Sequence, residues 1–472
     1  MSPRTSRYPT WWLLALLALN LVLKLCWLGV NELAGDEPFT VYWAQRPISE
    51  LFGMLRSENN PPLYFLLMHG WSLLVPLEPA WLRVPSAIFS ALTVWPLFLL
   101  GRRLGGNKAG ITAALLFTFS QHHYQFAHEV RAYPLLVLAC TWAVWQLVHL
   151  ADSPRHPSLR PASIIWLVAA NTLATWAHYF GWLMVGLELV MAFSVASLRP
   201  GRAKMLATTV ITIILNIPLL GILFSRAGSS LGQGTWVQPP SWEEPYNMLM
   251  RWSNAPVVAV LFLVIVAWGF ARQRVSGNSL TLATLWCAVP LVAMFLGSFL
   301  FPVYVDRYLL FASIGYYLLV ALALNLCKIP RVPAWVLPAG CVMAMFATFT
   351  PWRPSPIHPS RVAAQVESWS KGNTAVLIQP AWYSLTYAWA VSPHYFIGAA
   401  PVEMALKERG VWSVPGTVLP RLDSSTVTVI HVDAWASLTD PGHVVLHELR
   451  KIYQQTDSIE ADKKVMVRRF EK

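Results

Sequence analysis

The sequence predicts a mainly α protein: a polytopic membrane helical bundle of about eleven spans carrying a small C-terminal α/β domain outside the membrane. Three observations predict this class. Of 472 residues, 56% are hydrophobic and only 12% charged, against roughly 25% charged in an average soluble domain, so one water-soluble core cannot absorb this much apolar side chain. Apolar runs approaching the ~20 residues that cross a bilayer recur as far as residue 350. The basic clusters between them fall on alternate sides of the membrane that those runs define.

In chain order, the runs place spans at 10–30, 83–101, 109–126, 133–151, 161–177, 180–198, 204–224, 255–271, 280–300, 309–327 and 332–350. Arg4 and Arg7 before the first run imitate a signal peptide. The run is too long and lacks a small-x-small cleavage site, so it is expected to be a retained span that starts in the cytoplasm. The loops GRRLGGNK (101–108), ADSPRHPSLRP (151–161), LRPGRAK (198–204), ARQR (271–274) and KIPR (328–331) then share the cytoplasmic side. Loops 31–82, 122–132, 178–179, 225–254 and 301–308, with everything after 350, lie opposite and contain Asp36, Glu37, Glu129, Glu243, Glu244 and Asp306. This pattern accounts for the net charge of +12, so no nucleic-acid partner is expected. The expected location is the plasma membrane, in bacteria the inner membrane.

PLYFLLMHGWSLLV (62–75) is too short to span and is bracketed by Pro61, Pro62 and Pro76, which suits an interfacial helix. If it crossed, GRRLGGNK would move outside, so 31–82 reads as one long external loop. The transmembrane domain is expected to occupy 1–350. PWRPSPIHPS (351–360) reads as a linker, and 361–472 as an external α/β domain. There TAVLIQP (374–380), TVTVIHV (426–432) and KVMVRRF (464–470) are strand-like, and WYSLTYAWAV and HVVLHELRKIY are helix-like. Cys26, Cys140, Cys287, Cys327 and Cys341 lie in or beside apolar runs without metal-like spacing, which excludes a disulfide framework or thiolate metal site.

The chemistry is expected where polar groups reach the external face. Asp36 and Glu37 follow the first span, HHYQFAHEVRAYP (122–134) and HYF (178–180) cap later ones, and VYVDRYLLFA (303–312) sets Arg307 at the start of another. A carboxylate there can take a proton from an incoming hydroxyl or amine. An arginine there can fork onto a lipid phosphate. Together they suggest group transfer from a membrane-held phosphodiester.

The ordered series DE, NNPPLYF, LRVPSAIFSALTVWPLFLLGRRLGG, HEVRAYPLL, HYFG and DRYLLFA resembles the GT-C superfamily of integral-membrane glycosyltransferases, in particular bacterial relatives of the protein O-mannosyltransferases and of the lipid A aminoarabinose transferase. The likeness spans roughly residues 10 to 325. It implies a sugar donor on a polyprenyl phosphate, an inverting transfer with the lipid phosphate as leaving group, and a lipid, glycan or protein acceptor. Carried onto this chain, it makes Asp36 and Glu37 the catalytic candidates and Arg131, Arg307 and Lys24 the donor-phosphate candidates. Glu129, Tyr133, His178 and Tyr308 shape the acceptor side.

Each candidate also has a plain structural reading. Asp36 and Glu37 before Pro38 can cap a surface helix. Glu129 and Arg131 can be a solvated pair. Arg307 and Lys24 can snorkel to the interface, and His178 can be one interfacial ring among many. No cofactor is expected: Asp36, Glu37, Glu129 and nearby histidines have oxygens and nitrogens for a divalent cation, but no spacing demands one. A transporter or lipid flippase is the alternative. It would set charges along a path through the spans, where few are found, mainly Lys24 and Glu188. An assembly protein anchored by the bundle would need neither so many spans nor a carboxylate–arginine face.

Overall fold

The computed structural model describes residues 11–55, 58, 60–152, 160–224, 237–273, 278–398 and 400–472. Arg4, Arg7 and most of the basic loop 151–161 lie outside them. The chain divides into two compact units: 1–27, 54–64 and 83–351 form one, and 28–53, 65–82 and 352–472 the other.

The first unit is a helical bundle. Its helices begin with α1 (Trp11–Leu25), and continue with most of α5 (Pro79–Leu92) and with α6 (Val94–Thr118), α7 (Gln121–Ala127), α8 (Tyr133–Asp152), α9 (Arg160–Ala177), α10 (Gly181–Ser194) and α11 (Arg202–Leu215). Helices Glu244–Trp252, Pro256–Arg272, Asn278–Gly297, Ala312–Leu326 and Val336–Ala347 follow. Ala312–Leu326 is the central element, buried without a break from Ala312 to Leu324, as a helix apolar on every side must be.

Basic loop 101–108 proves to be a reversal inside α6, where Gly106 adopts φ 80°. The chain folds back so tightly that a Cβ on Gly101 would lie 2.8 Å from the Gly110 Cα, and one on Gly110 would lie 2.7 Å from the Phe98 carbonyl. Only glycine pays no steric cost for the left-handed turn or permits the approach.

Helix length does not reproduce the count of eleven. Among the described residues three helical segments are long and apolar enough to cross a membrane, or five if each of two bent pairs counts as one span. One of these pairs, Gly181–Ser194 with Ala196–Leu215, bends by 108°. Four further apolar helices, α1 among them, have 10–17 residues. The expected windows counted apolar side chains, whereas the helices stop at local backbone signals. Thus α1 ends two residues before Trp27 at φ 64°, and residues 306–309 form a 3₁₀ turn before Ala312–Leu326.

The second unit is built on a five-stranded sheet in the order β2-β1-β3-β5-β4. β1 (Thr374–Gln379), β2 (Val411–Ser413) and β3 (Thr428–Ala434) run parallel, while β5 (Val465–Glu471) pairs antiparallel with β3 and with β4 (Gln454–Asp462). Helices Tyr383–Val391 and Val444–Ile452 occupy the two helix-like stretches. Helix Pro359–Trp369 begins inside the supposed linker, and the short β2 and the polar edge strand β4 were not foreseen.

This unit also takes in residues 28–53 and 65–82, most of the first long loop, including α2 (Glu37–Gln45) and most of α3 (Ile48–Leu55). The Asn31 and Glu32 side chains accept from the Ser355 N–H (2.7 Å) and the Ser360 N–H (2.8 Å). Tyr42 of α2 meets Phe396 edge-on at 5.6 Å. The stretch 62–75 contains helix α4 (Leu63–Ser72).

Candidate functional site

In the bundle, α7 is capped by Ser120, whose Oγ accepts from the His123 N–H at 3.3 Å. The chain then runs through a short irregular segment to α8, which starts at Tyr133 with Pro134 next. Arg131 sits in that segment, only 8% exposed. Its Nη2 donates to Asn60 Oδ1 at 3.3 Å and Tyr133 OH at 3.4 Å, and its guanidinium lies 5.6 Å from the Tyr133 ring centroid. The Arg131 carbonyl accepts from Ser86 Oγ at 3.0 Å, and that hydroxyl is 2.6 Å from Tyr64 OH. Asn60 of NNPPLYF therefore holds the guanidinium of Arg131, and Tyr64 braces the Ser86 hydroxyl that holds its carbonyl, a role the sequence did not assign to them.

His178, in the turn between α9 and α10, is the centre on which the candidates converge. Its ring is 5.6 Å from Tyr133, 5.5 Å from Phe180 and 5.2 Å from Tyr308. Phe180 and Tyr308 stack at 4.8 Å, and the Arg307 guanidinium lies 5.5 Å from the Tyr308 centroid. Burial, then the positive charges of Arg131 and Arg307, push the imidazole down to about 3. The ring is therefore neutral at physiological pH and flanked by two fixed cations. Arg131, Tyr133, His178, Arg307 and Tyr308 form one aromatic-walled, electropositive cluster.

Lys24 is placed elsewhere. It is fully buried in α1, with Nζ 5.6 Å from the Phe117 centroid and 5.3 Å from Tyr124. Its Nζ has no hydrogen-bond partner among the described residues, and it is not one of the charges acting on His178. Its own carbonyl meets His128 Nε2 at 3.0 Å. Burial, then Lys24 and Arg83, hold His128 down to about 3. Glu129 is half-buried in the Arg131 segment, and its carbonyl accepts from the Arg131 N–H at 2.8 Å.

The carboxylate pair belongs to the second unit. Asp36 is exposed at the start of α2, and its side chain does not cap the helix. Its carbonyl accepts from the Thr40 N–H and Oγ1 at 3.3 and 3.2 Å. Glu37 is 5% exposed and turns back on its own loop, where Oε2 accepts from the Ala34 N–H at 3.3 Å. The adjacent acids thus differ: Asp36 is an exposed residue, while Glu37 is buried and braces the loop. Among the described residues no three His, Cys, Asp or Glu side chains converge to hold a metal ion.

No protein-family model and no curated protein matches the chain. Its fold does match solved structures. ArnT from Cupriavidus metallidurans bound to undecaprenyl phosphate superposes with a TM-score of 0.58 at 15% identity, covering 98% of each chain. The oligosaccharyltransferase AglB from Archaeoglobus fulgidus, in complex with an inhibitory peptide and a dolichol-phosphate, gives 0.56 at 10% identity over 95% of this chain and 73% of that one. The mycobacterial arabinofuranosyltransferase AftD gives 0.50 at 13% identity over 99% of this chain and 42% of that one. The fold is therefore similar to that of GT-C membrane glycosyltransferases.

Proposed function

We propose that the chain is a membrane glycosyltransferase that moves a sugar from a polyprenyl-phosphate donor to an acceptor at the external face of the plasma membrane, with inversion at the anomeric carbon. The observation that carries this reading is the Arg131–His178–Arg307 cluster in a chain whose fold resembles proteins solved with undecaprenyl phosphate and dolichol-phosphate.

As the acceptor attacks the anomeric carbon, the bond to the phosphate oxygen breaks and its electron pair stays on the polyprenyl phosphate, which gains negative charge. Arg131 and Arg307 offset that charge with donors already in place, the form of stabilisation that costs no reorganisation during the reaction. Neutral His178 adds no third positive charge, and with Tyr133, Phe180 and Tyr308 it walls the site.

Asp36 is assigned the role of general base, taking the acceptor's proton as the new bond forms. Its exposure suits it to meet an acceptor arriving from water. Glu37 holds the loop and orients the acceptor side. Lys24 is kept as a further cation for the lipid phosphate, which would have to enter the Phe117–Tyr124 box. Glu129 shapes the acceptor side beside Arg131.

The test is to incubate purified protein with a panel of polyprenyl-phosphate sugars and to follow release of polyprenyl phosphate. Release from at least one donor, dependent on Arg307, is expected. Silence across hexosyl and pentosyl donors, together with movement of lipid-linked sugar across vesicles, would favour a flippase instead.

A further inference from the structure

Glu188 lies in the middle of α10, 3% exposed, and the transfer chemistry above does not use it. An ionisable group inside a membrane bundle is costly unless something compensates it. Its surroundings supply one donor: Asn171 Nδ2 of α9, fully buried, reaches Glu188 Oε2 at 2.8 Å. The remaining oxygen of each group, Glu188 Oε1 and Asn171 Oδ1, is buried without any hydrogen-bond partner among the described residues. Thr175, one turn along α9, does not help, because its single hydroxyl proton already has acceptors within reach in Asn216 Oδ1 at 2.8 Å and the Asn171 main-chain carbonyl at 2.9 Å.

Charge is also unbalanced. α10 packs against α8, α9, α11, residues 196–201 and helix Asn278–Gly297. No Lys, Arg or His from these elements forms an ion pair with Glu188 among the described residues. Among the described residues the titratable side chain that interacts with it is the buried thiol of Cys140 on α8, which supplies no positive charge.

A negative charge and two undonated acceptor oxygens in one buried pair are relieved together by one small cation. We propose that Glu188 and Asn171 form a binding site for a single monovalent cation, a proton or a sodium ion, within the bundle. A proton on Oε1 would let carboxyl and amide face each other as donor and acceptor on both arms. A sodium ion would be coordinated by Oε1 and Oδ1. The occupied site ties α9 to α10 and so steadies the turn that carries His178 and Phe180. It does not rest on the transferase reading.

The test uses the full chain in lipid nanodiscs, with infrared difference spectra and thermal unfolding compared in sodium chloride and choline chloride. If the cation is a proton, the wild type shows the carbonyl stretch of a protonated carboxyl in both salts. Glu188→Gln abolishes that band, and Asn171→Val, which leaves the acid but removes its partner, shifts it. If the cation is sodium, the band is absent, and replacing choline by sodium raises the wild-type Tm but not that of Glu188→Gln. In Glu188→Gln the new amide can itself donate to Asn171 Oδ1, so this variant mimics the occupied site and should fold. An ionised Glu188 in sodium-free buffer, together with a wild-type Tm indifferent to sodium, overturns the proposal. Both of those readings need only the wild type and Asn171→Val.

Discussion

Replacing Arg46 by alanine should release α2, and with it the stretch that carries Asp36, from the sheet unit. Arg46 is 4% exposed and sits just past the end of α2. Its Nη1 donates to the carbonyls of Gly398 and Ala400 at 3.1 and 3.3 Å, Nε and Nη2 each reach Glu50 Oε2 at 2.8 Å, and the guanidinium lies 5.7 Å from the Tyr42 ring centroid. The Glu50 side chain is 45% exposed, so solvent limits that pair to under ~1 kcal/mol. Hydrogen bonds from a charged donor are worth ~1.5–3 kcal/mol each. The two to carbonyls share one nitrogen, so the lower figure applies to each and their sum is ~3 kcal/mol. At tenfold per ~1.4 kcal/mol, local opening of α2 should rise by ~10²-fold. Amide hydrogen exchange of residues 37–45 in the full-length protein reads this directly. Arg46→Lys has a charge but no fork, and should recover only part of the protection. Unchanged exchange at 37–45 in Arg46→Ala would refute the clamp, whatever happens to turnover.

Four further outcomes are expected. Asp36→Asn should lower sugar transfer by ~10²–10⁴-fold, the usual contribution of a general base, with donor affinity nearly unchanged; wild-type turnover across pH 5 to 8 would remove Asp36 from the mechanism. Loss of one charge-assisted contact to the phosphate should weaken donor binding in Arg307→Ala by roughly tenfold or more, with Arg307→Lys between it and the wild type; isothermal titration with polyprenyl phosphate decides. His178 and His128, both held down to about 3, lie below the ~6.5 of an unfolded histidine. The unfolded chain therefore takes up protons first, so their stability is fully present above ~6.5 and falls as pH drops toward 3, by at most ~1.4 kcal/mol per unit for each. Thermal unfolding between pH 7 and 5 should show the decline, with His178→Asn shallower than the wild type. Finally, in intact cells a membrane-impermeant thiol reagent should label Glu367→Cys and spare Arg102→Cys. The opposite pattern would invert the topology that places Arg102, Arg202 and Arg272 in the cytoplasm; Arg155, expected on the same side, lies outside the described residues.

What could be read from the sequence follows from contrast. In a chain with so few charges, Arg131, His178 and Arg307 stand out against apolar surroundings, and each lies in one of the short segments that join the bundle's helices. Tyr133 and Tyr308 are drawn in with them as chain neighbours of the arginines. The supports of Arg131 were harder to see. Asn60, Tyr64 and Ser86 are neutral polar residues whose meaning depends on a main-chain carbonyl and a guanidinium far along the chain, and no local pattern records such a partner. The same holds for β4. Its QQTDSIEAD is largely exposed, so it lacks the apolar alternation that marks a half-buried strand, and only pairing with β5 defines it.

Arg46 exposes a limit of charge-based topology. A cation in an expected external loop reads as an exception to the positive-inside trend, and the trend says nothing of why it is retained. The structure supplies the reason: the guanidinium is spent on carbonyls more than 350 residues away in sequence. The same distinction separates Asp36 from Glu37. Adjacent in sequence and identical in charge, they part because a step of one residue sends Glu37 inward to the Ala34 N–H and leaves Asp36 at an exposed position. A substitution that kept the charge of the pair but exchanged the residues, Asp36→Glu with Glu37→Asp, would shorten the bracing side chain and lengthen the exposed one. If bracing and proton transfer are separate duties, Glu37→Asp alone should raise hydrogen exchange around Ala34, while Asp36→Glu alone should leave exchange there unchanged and lower turnover.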